Sequence, residues 1–223
     1  MGNGMKESRT AYDRPQAYEL GEWEFYGLTL KVTPDVLIPR PDTERLVDLA
    51  LAFLKNRPGE QYILDLCCGS GCVGLAVAAH CPAARVTYGD ISEAALAVAR
   101  SNGCEDIRVI DALKPPSPGL GPFDALLCNP PYVTDGDTEN LDASVRDYEP
   151  PVALFGGRDG LDFYRALLPD WLSVLRPGGL FAVEIGFDQA AAVERMTRDA
   201  GLDGVAVRRD YGGRDRIVSG YIK

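Results

Sequence analysis

The tetrapeptide Asn129-Pro130-Pro131-Tyr132 is the most specific chemical signature in the chain. Two consecutive prolines fix φ and carry no N–H, so the segment offers carbonyl oxygens, and the Asn129 side-chain oxygen, with few competing donors. An acceptor-rich corner of this kind matches a planar NH2 group, whose hydrogens can be held while its nitrogen faces an electrophilic carbon. The lone pair of an amide or aromatic amine is delocalised, and gripping its hydrogens favours tetrahedral nitrogen as charge develops in the transition state. Tyr132 could stack on the flat group and shield a neighbouring sulfonium by cation–π attraction. The same four residues also read as a rigid turn followed by a core aromatic.

A second cluster lies upstream. An apolar run at 62–66 contains Asp65 and leads into Cys67-Cys68-Gly69-Ser70-Gly71, then into a helix of small residues. Glycines at such a bend permit a sharp turn and let a ligand approach the main chain where a Cβ would collide. Asp90 stands about 20 residues further on, at the end of the next strand pattern, the position from which an acid accepts ribose hydroxyls. Asp111, followed by Ala112, ends the third strand pattern, where its carboxylate could accept from an adenine amino group or cap the next turn. Gly69-Ser70-Gly71-Cys72-Val73-Gly74 also fits the three-glycine dinucleotide pattern, and glycines serving only a tight turn remain an alternative. The longer loop after Asp65 suits a cationic, phosphate-free group such as a methionine sulfonium, which places S-adenosylmethionine ahead of NAD.

His80 is the only histidine, so no Ser/His/Asp arrangement is available. The six cysteines, Cys67, Cys68, Cys72, Cys81, Cys104 and Cys128, lack the paired spacing of a zinc ribbon and read as free thiols, with no metal expected.

These clusters need a scaffold. Strand patterns at 62–66, 85–89, 107–110, 123–128, 180–185, 204–208 and 216–221 alternate with helical patterns at 72–80, 92–102, 160–175 and 188–200, which predicts a mostly parallel sheet covered on both faces. Pro169 should kink or split the third of those helices. Alternating polar and apolar residues over 20–33, with Gly27 at the centre, predict a hairpin. After Pro39-Arg40-Pro41, the acidic first turn Asp42-Thr43-Glu44 precedes Leu46, Leu49, Ala50, Phe53 and Leu54 at helical spacing, with a Pro58-Gly59 stop.

The chain has 223 residues, 46% hydrophobic and 25% charged, which is ordinary globular usage and excludes disordered and collagenous classes. A formal charge of −10 repels phosphate backbones and favours a protein or small-molecule substrate over stable nucleic-acid binding. No apolar run reaches the roughly 18 residues of a membrane span. The first twenty residues lack the apolar centre of a secretion signal, so a cytoplasmic location is expected.

Several motifs resemble one family, the release-factor glutamine methyltransferases of the HemK type. They are Arg14-Pro15-Gln16-Ala17-Tyr18-Glu19-Leu20-Gly21, Glu24-Phe25-Tyr26-Gly27-Leu28, Leu37-Ile38-Pro39-Arg40-Pro41-Asp42-Thr43-Glu44, Asp65-Leu66-Cys67-Cys68-Gly69-Ser70-Gly71 and Asn129-Pro130-Pro131-Tyr132. Further matches are Glu149-Pro150, Gly160-Leu161-Asp162-Phe163-Tyr164, Pro177-Gly178-Gly179, Glu184-Ile185-Gly186 and Asp215-Arg216. The resemblance implies an α/β, Rossmann-like class I S-adenosylmethionine-dependent methyltransferase with a seven-stranded, mostly parallel sheet, an antiparallel last strand and an N-terminal β-hairpin. It also implies methylation of the side-chain amide of a glutamine in the Gly-Gly-Gln loop of a peptide-chain release factor. By position, Cys67, Cys68, Gly69, Ser70 and Gly71 would line the methionine end of the cofactor. Asp90 would hold the ribose with Ile91 beside it, and Asp111 and Ala112 would meet the adenine. Asn129, Pro130, Pro131 and Tyr132 would face the target amide, with Asn129 also touching the cofactor, and Pro39, Arg40 and Glu44 would sit near the mouth.

Two departures matter. The family usually has glycine where Cys67 stands, so a slightly displaced loop is expected. Members also begin with a helical domain that grips the release factor, whereas here the hairpin pattern starts by Leu20. The expected division is a linker or remnant over 1–19, a hairpin over 20–35 and a catalytic domain over 36–223. Alternative substrates for the same corner are a ribosomal-protein glutamine and the amino group of adenine or guanine in nucleic acid. A cofactor-binding module without turnover is a third reading.

Overall fold

The computed structural model describes residues 14–55 and 57–223, so the first thirteen residues of the expected 1–19 segment lie outside the described part. The strands at its centre are apolar on both sides. β3 (Gln61–Leu66) exposes one residue of six and β6 (Phe123–Cys128) none, the pattern of parallel strands covered on both faces. Between them come α3 (Cys72–His80), β4 (Ala84–Asp90), α4 (Glu93–Ser101) and β5 (Asp106–Val109). After β6 follow a short α5 (Ala143–Arg146), α6 (Asp162–Asp170), β7 (Leu175–Glu184), α7 (Ala190–Asp199), β8 (Asp203–Arg209) and β9 (Asp215–Tyr221).

The seven strands pair in the order β5-β4-β3-β6-β7-β9-β8. All pairs from β5 to β7 are parallel, and β9 lies antiparallel between β7 and β8, as expected of the last strand. Alternate residues serve opposite faces. Leu64, Leu66, Leu126, Cys128, Phe181 and Val183 pack beneath α6 and α7 with Tyr164, Leu167, Trp171 and Val193. Ile63, Ala125, Leu127, Leu180 and Ala182 face Leu46, Val47 and Ala50 of α2 (Glu44–Leu54) and Val73, Ala76 and Val77 of α3.

The helical pattern at 160–175 divides as expected, into α6 with Pro169 near its end and a tighter 3-10 turn over Trp171–Val174. The hairpin joins β1 (Glu22–Phe25) to β2 (Leu28–Lys31) through Tyr26 and Gly27, both at positive φ (50° and 76°), the twist a two-residue hairpin turn requires. Its tip docks on α2: the Tyr26 N–H donates to Glu44 at 3.0 Å and the Tyr26 hydroxyl to Asp48 at 2.8 Å. Ahead of it, α1 (Gln16–Leu20) buries Ala17 and Tyr18 against Val32, Val36 and Ile38, and the Tyr18 hydroxyl donates to the Val36 carbonyl at 2.6 Å.

Chain order explains where a ligand belongs. From β3 the chain builds outward through β4 to β5, then returns to lay β6 on the other flank of β3. A crevice forms at the carboxyl ends of strands where the winding reverses in this way. Leu66 pairs with Cys128, so the loop after β3 and the tetrapeptide after β6 leave the sheet side by side.

Candidate active site

A cavity of about 310 Å³ occupies this crevice, within the usual size range for small-molecule sites. Cys67, Cys68, Gly69 and Ser70 form one wall. Asp90 and Ile91 from the end of β4, with Asp111 and Ala112 after β5, line the next part. Asn129 and Pro131 stand at the far end beside Val152, Ala153 and Phe163. Pro39 and Arg40 belong to a strap, with Asp35, Val36 and Leu37, that also borders the cavity. Glu149 secures this strap, pairing with Arg40 and accepting the Ile38 N–H at 3.3 Å.

Four expected site residues lie outside the cavity wall: Gly71, Pro130, Tyr132 and Glu44. Gly71 sits at the N-terminus of α3 with φ 80°, and a Cβ there would collide with the Cys104 thiol, so the absent side chain lets the loop pack closely. Glu44 spends its carboxylate on the hairpin. The Tyr132 hydroxyl donates to Glu184 at 3.3 Å, and its carbonyl accepts from Gln189 Nε2 at 3.0 Å, so that oxygen is not free as the proline-rich corner suggested.

The glycine loop is built for backbone access. Gly69 has φ 53° and open space where a Cβ would stand. Cys67 adopts the same left-handed region at φ 58°, so the chain retains a turn favourable to glycine at a backbone cost of about 1–2 kcal/mol. Its thiol is pushed up by the contact with the Cys128 thiol and by burial, which makes it an inert neutral group. The Ser70 hydroxyl is buried and finds no partner of hydrogen-bond geometry among the described residues beyond the adjacent Cys72 thiol.

The carboxylates differ in their surroundings. Asp90 accepts the Gly69 N–H through Oδ2 and the Ser92 N–H through Oδ1, both at 2.9 Å, so it orients the glycine loop and the start of α4 together. Burial pushes its carboxyl up, and those backbone donors oppose the shift. Asp111 is held below the usual carboxylate range by Lys114, at 2.9 Å.

Asp65 also lines the cavity, although the residue patterns did not single it out for the site. It is buried, accepts the Gly74 N–H at 2.8 Å, and is pushed up to about 8 by burial, a carboxyl that a cation delivered into the cavity would ionise. Its signal was an acid near the carboxyl end of an otherwise apolar run over 62–66. The bond to Gly74 also draws α3 onto the sheet: a Cβ on Gly74 would stand 2.5 Å from Tyr88 Cε1 and 2.7 Å from Val86 Cγ1. Gly→Ala within a helix normally stabilises, but Gly74→Ala in the first turn of α3 is expected to destabilise by about 1–3 kcal/mol through overpacking. A fall in the denaturant midpoint at unchanged m-value is the readout.

At the other end, the tetrapeptide is braced from behind. Gly156 donates to the Val133 carbonyl at 2.8 Å, and a Cβ on Gly156 would lie 2.5 Å from the Pro131 carbonyl oxygen. The Asn129 carboxamide donates through Nδ2 to the Thr43 hydroxyl at 3.2 Å, and no described residue donates to its Oδ1. Thr43 in turn donates to buried Glu184 at 2.7 Å. Neither Thr43 nor Glu184 was singled out as a site residue from the sequence patterns. Among the described residues, no cluster of His, Cys, Asp and Glu could hold a metal ion.

Comparison with known proteins identifies the family of the chain. The family model "Methyltransferase small domain" matches residues 46–145. A release factor glutamine methyltransferase of Moorella thermoacetica is 45% identical over 221 residues, covering 96% of this chain and 77% of the relative. Its counterpart in Chlamydia trachomatis serovar L2 is 41% identical over 215 residues, covering 95% and 74%. The chain belongs to the release factor glutamine methyltransferase family. A solved release factor-specific protein-(glutamine-N5) methyltransferase from Alicyclobacillus acidocaldarius aligns with TM-score 0.54 and 30% identity, covering 87% of this chain and 99% of the other. A methyltransferase from Pyrococcus furiosus, at TM-score 0.60 and 20% identity over 88% of this chain and 90% of its own, shares the fold. Membership of the release factor glutamine methyltransferase family also accounts for the class I sheet order, and no helix among the described residues is long and apolar enough to cross a membrane.

Proposed function

We propose that this protein transfers a methyl group from S-adenosylmethionine to the side-chain amide nitrogen of a glutamine in the Gly-Gly-Gln loop of a peptide-chain release factor. The observation that carries the reading is one cavity joining Asp90 and the glycine loop to Asn129, whose Oδ1 receives no donor from the described residues and is an amide acceptor. The family's name supplies the substrate class.

The residues present suit the cofactor. The Ser70 hydroxyl, whose one neighbour of polar character among the described residues is the Cys72 thiol, and the open face of Gly69 suit a polar group close to the main chain. Asp65 is placed for an ammonium, Asp90 for ribose hydroxyls, and Ile110, Ala112 and Leu113 provide an apolar slot beside Asp111 for a base. Bound there, S-adenosylmethionine supplies an electrophilic methyl carbon on sulfur. The protein's share is alignment: Asn129 Oδ1 takes a hydrogen of the target amide, Pro131 limits its approach, and the strap at Pro39 and Arg40 borders the entry. The methyl group would pass from the cofactor sulfur to the amide nitrogen held at Asn129, and the proton that nitrogen gives up would leave to solvent. Asn129, Pro130, Pro131 and Tyr132 form one braced unit in which Pro130 and Tyr132 act through stiffness.

The catalytic body in this reading is 36–223, with the hairpin over 20–35 fastened to α2. The acidic balance favours a protein substrate in the cytoplasm over nucleic acid. Incubation with labelled methyl donor and a release factor should label the protein but not its loop Gln→Ala variant. Equal labelling of both would overturn the proposal.

A further inference from the structure

We propose that Thr43 and Glu184 are positioning residues that lock the Asn129 carboxamide with its oxygen turned toward the substrate. The proposal rests on the reading above, that Asn129 accepts a hydrogen from the target amide.

The three residues come from distant parts of the chain: Thr43 just before α2, Asn129 after β6, and Glu184 at the end of β7. Glu184 is buried at 2% exposure. Its Oε2 accepts the Thr43 hydroxyl at 2.7 Å and its Oε1 accepts the Tyr132 hydroxyl at 3.3 Å. A hydroxyl has one proton to give. Once Thr43 has given it to a carboxylate, the lone pairs of that oxygen remain for a donor, and Asn129 Nδ2 meets them at 3.2 Å. A carboxamide whose NH2 end is held this way must present Oδ1 on its other side. The charge on Glu184 thus decides which end of Asn129 the substrate meets.

Neutralising Glu184 removes that instruction. A protonated carboxyl is a donor, so the Thr43 hydroxyl can accept from it and direct its own proton at Asn129. The carboxamide is then free to turn, placing its NH2 against the NH2 of the target, donor against donor. Groups around Glu184 oppose one another. Burial and Asp42 raise its pKa, Thr43, Arg216 on β9 and Tyr132 lower it, and the Cys72 thiol of α3 and the Tyr164 hydroxyl of α6 lie within its field. Arg216 is itself held by Asp210 at 3.3 Å and by the Ile185 carbonyl at 3.0 Å. Burial prevails, and the carboxyl is pushed up to about 7. Because this pKa is raised, the ordering charge is present above about 7 and lost as pH falls through it.

The test is the pH dependence of kcat on a release factor at saturating S-adenosylmethionine. In the wild type, kcat is expected to fall about fivefold from pH 8 to pH 6. Thr43→Val keeps the side-chain shape but cannot relay the charge, and is expected to lower kcat about tenfold, leave KM for the release factor and Kd for the cofactor unchanged, and abolish the acid limb. Thr43→Ser should restore both rate and acid limb. Glu184→Gln retains an acceptor for Thr43 without a titrating group, so its profile should be flat, and it serves where Thr43→Val is poorly folded. Wild-type kcat in Thr43→Val, or an acid limb that persists in either Thr43→Val or Glu184→Gln, overturns the proposal. Failure of the underlying reading looks different: the wild type would then label a release factor and its loop Gln→Ala variant equally.

Discussion

Asn129→Ala is expected to lower kcat on a release factor by about a hundredfold, the scale seen when one preorganised transition-state hydrogen-bonding group is removed. Its Oδ1 is unpaired by any described residue and stands in the wall beside Pro131, whereas its Nδ2 is engaged by Thr43. The variant therefore deletes the acceptor proposed to meet the substrate without touching the glycine loop or Asp90. Cofactor affinity should change little, and the loss should appear equally in kcat and kcat/KM, the pattern of an interaction made in the transition state. Calorimetric titration with S-adenosylmethionine alongside single-turnover rates separates these quantities. Unchanged turnover, or a loss explained wholly by weaker cofactor binding, would remove Asn129 from the role assigned to it.

The opposite signature is expected for Asp90→Ala. Two effects combine here: loss of the carboxylate proposed to hold ribose hydroxyls, and release of the Gly69 and Ser92 N–H groups that the carboxylate holds at 2.9 Å. Hydrogen bonds to a charged group contribute about 1.5–3 kcal/mol each, so a net loss near 3 kcal/mol raises the cofactor Kd about a hundredfold. At saturating cofactor, kcat should recover toward the wild-type value. A Kd within a factor of about three of wild type, which corresponds to less than 1 kcal/mol, would show that Asp90 serves the loop alone. Affinity should also weaken at acidic pH, because burial raises the Asp90 carboxyl and protonation removes the acceptor.

Much of the architecture was legible in the residue pattern because its causes are local. Apolar runs such as Leu126-Leu127-Cys128 can be satisfied only when both faces are covered, and their alternation with helical repeats specifies parallel connections. Pro169 shortened its helix for the reason its ring and missing N–H dictate. Gly69 and Gly71 occupy the positive φ that a strand-to-helix bend demands, and Cys67 does so despite its side chain.

Side-chain partnerships were not legible in this way. Glu44 and Thr43 are neighbours in the chain, yet one faces the hairpin tip and the other reaches Glu184. Tyr132 carries the same ring whether it stacks on a ligand or supports a buried acid, and its place outside the cavity wall follows from how β6 and β7 align at their carboxyl ends.

Residue order alone therefore specified the sheet, its glycine turn and the proline-stiffened corner, because steric limits on φ and the burial of apolar side chains act over a few neighbouring positions. The burial of Asp65, the diversion of Glu44 and the chain of hydrogen bonds from Glu184 through Thr43 to Asn129 were settled by folding. The bonds at Thr43 join groups 86 and 141 positions apart, and their partners exist only once strand register has set which side chains meet at the edge of the sheet.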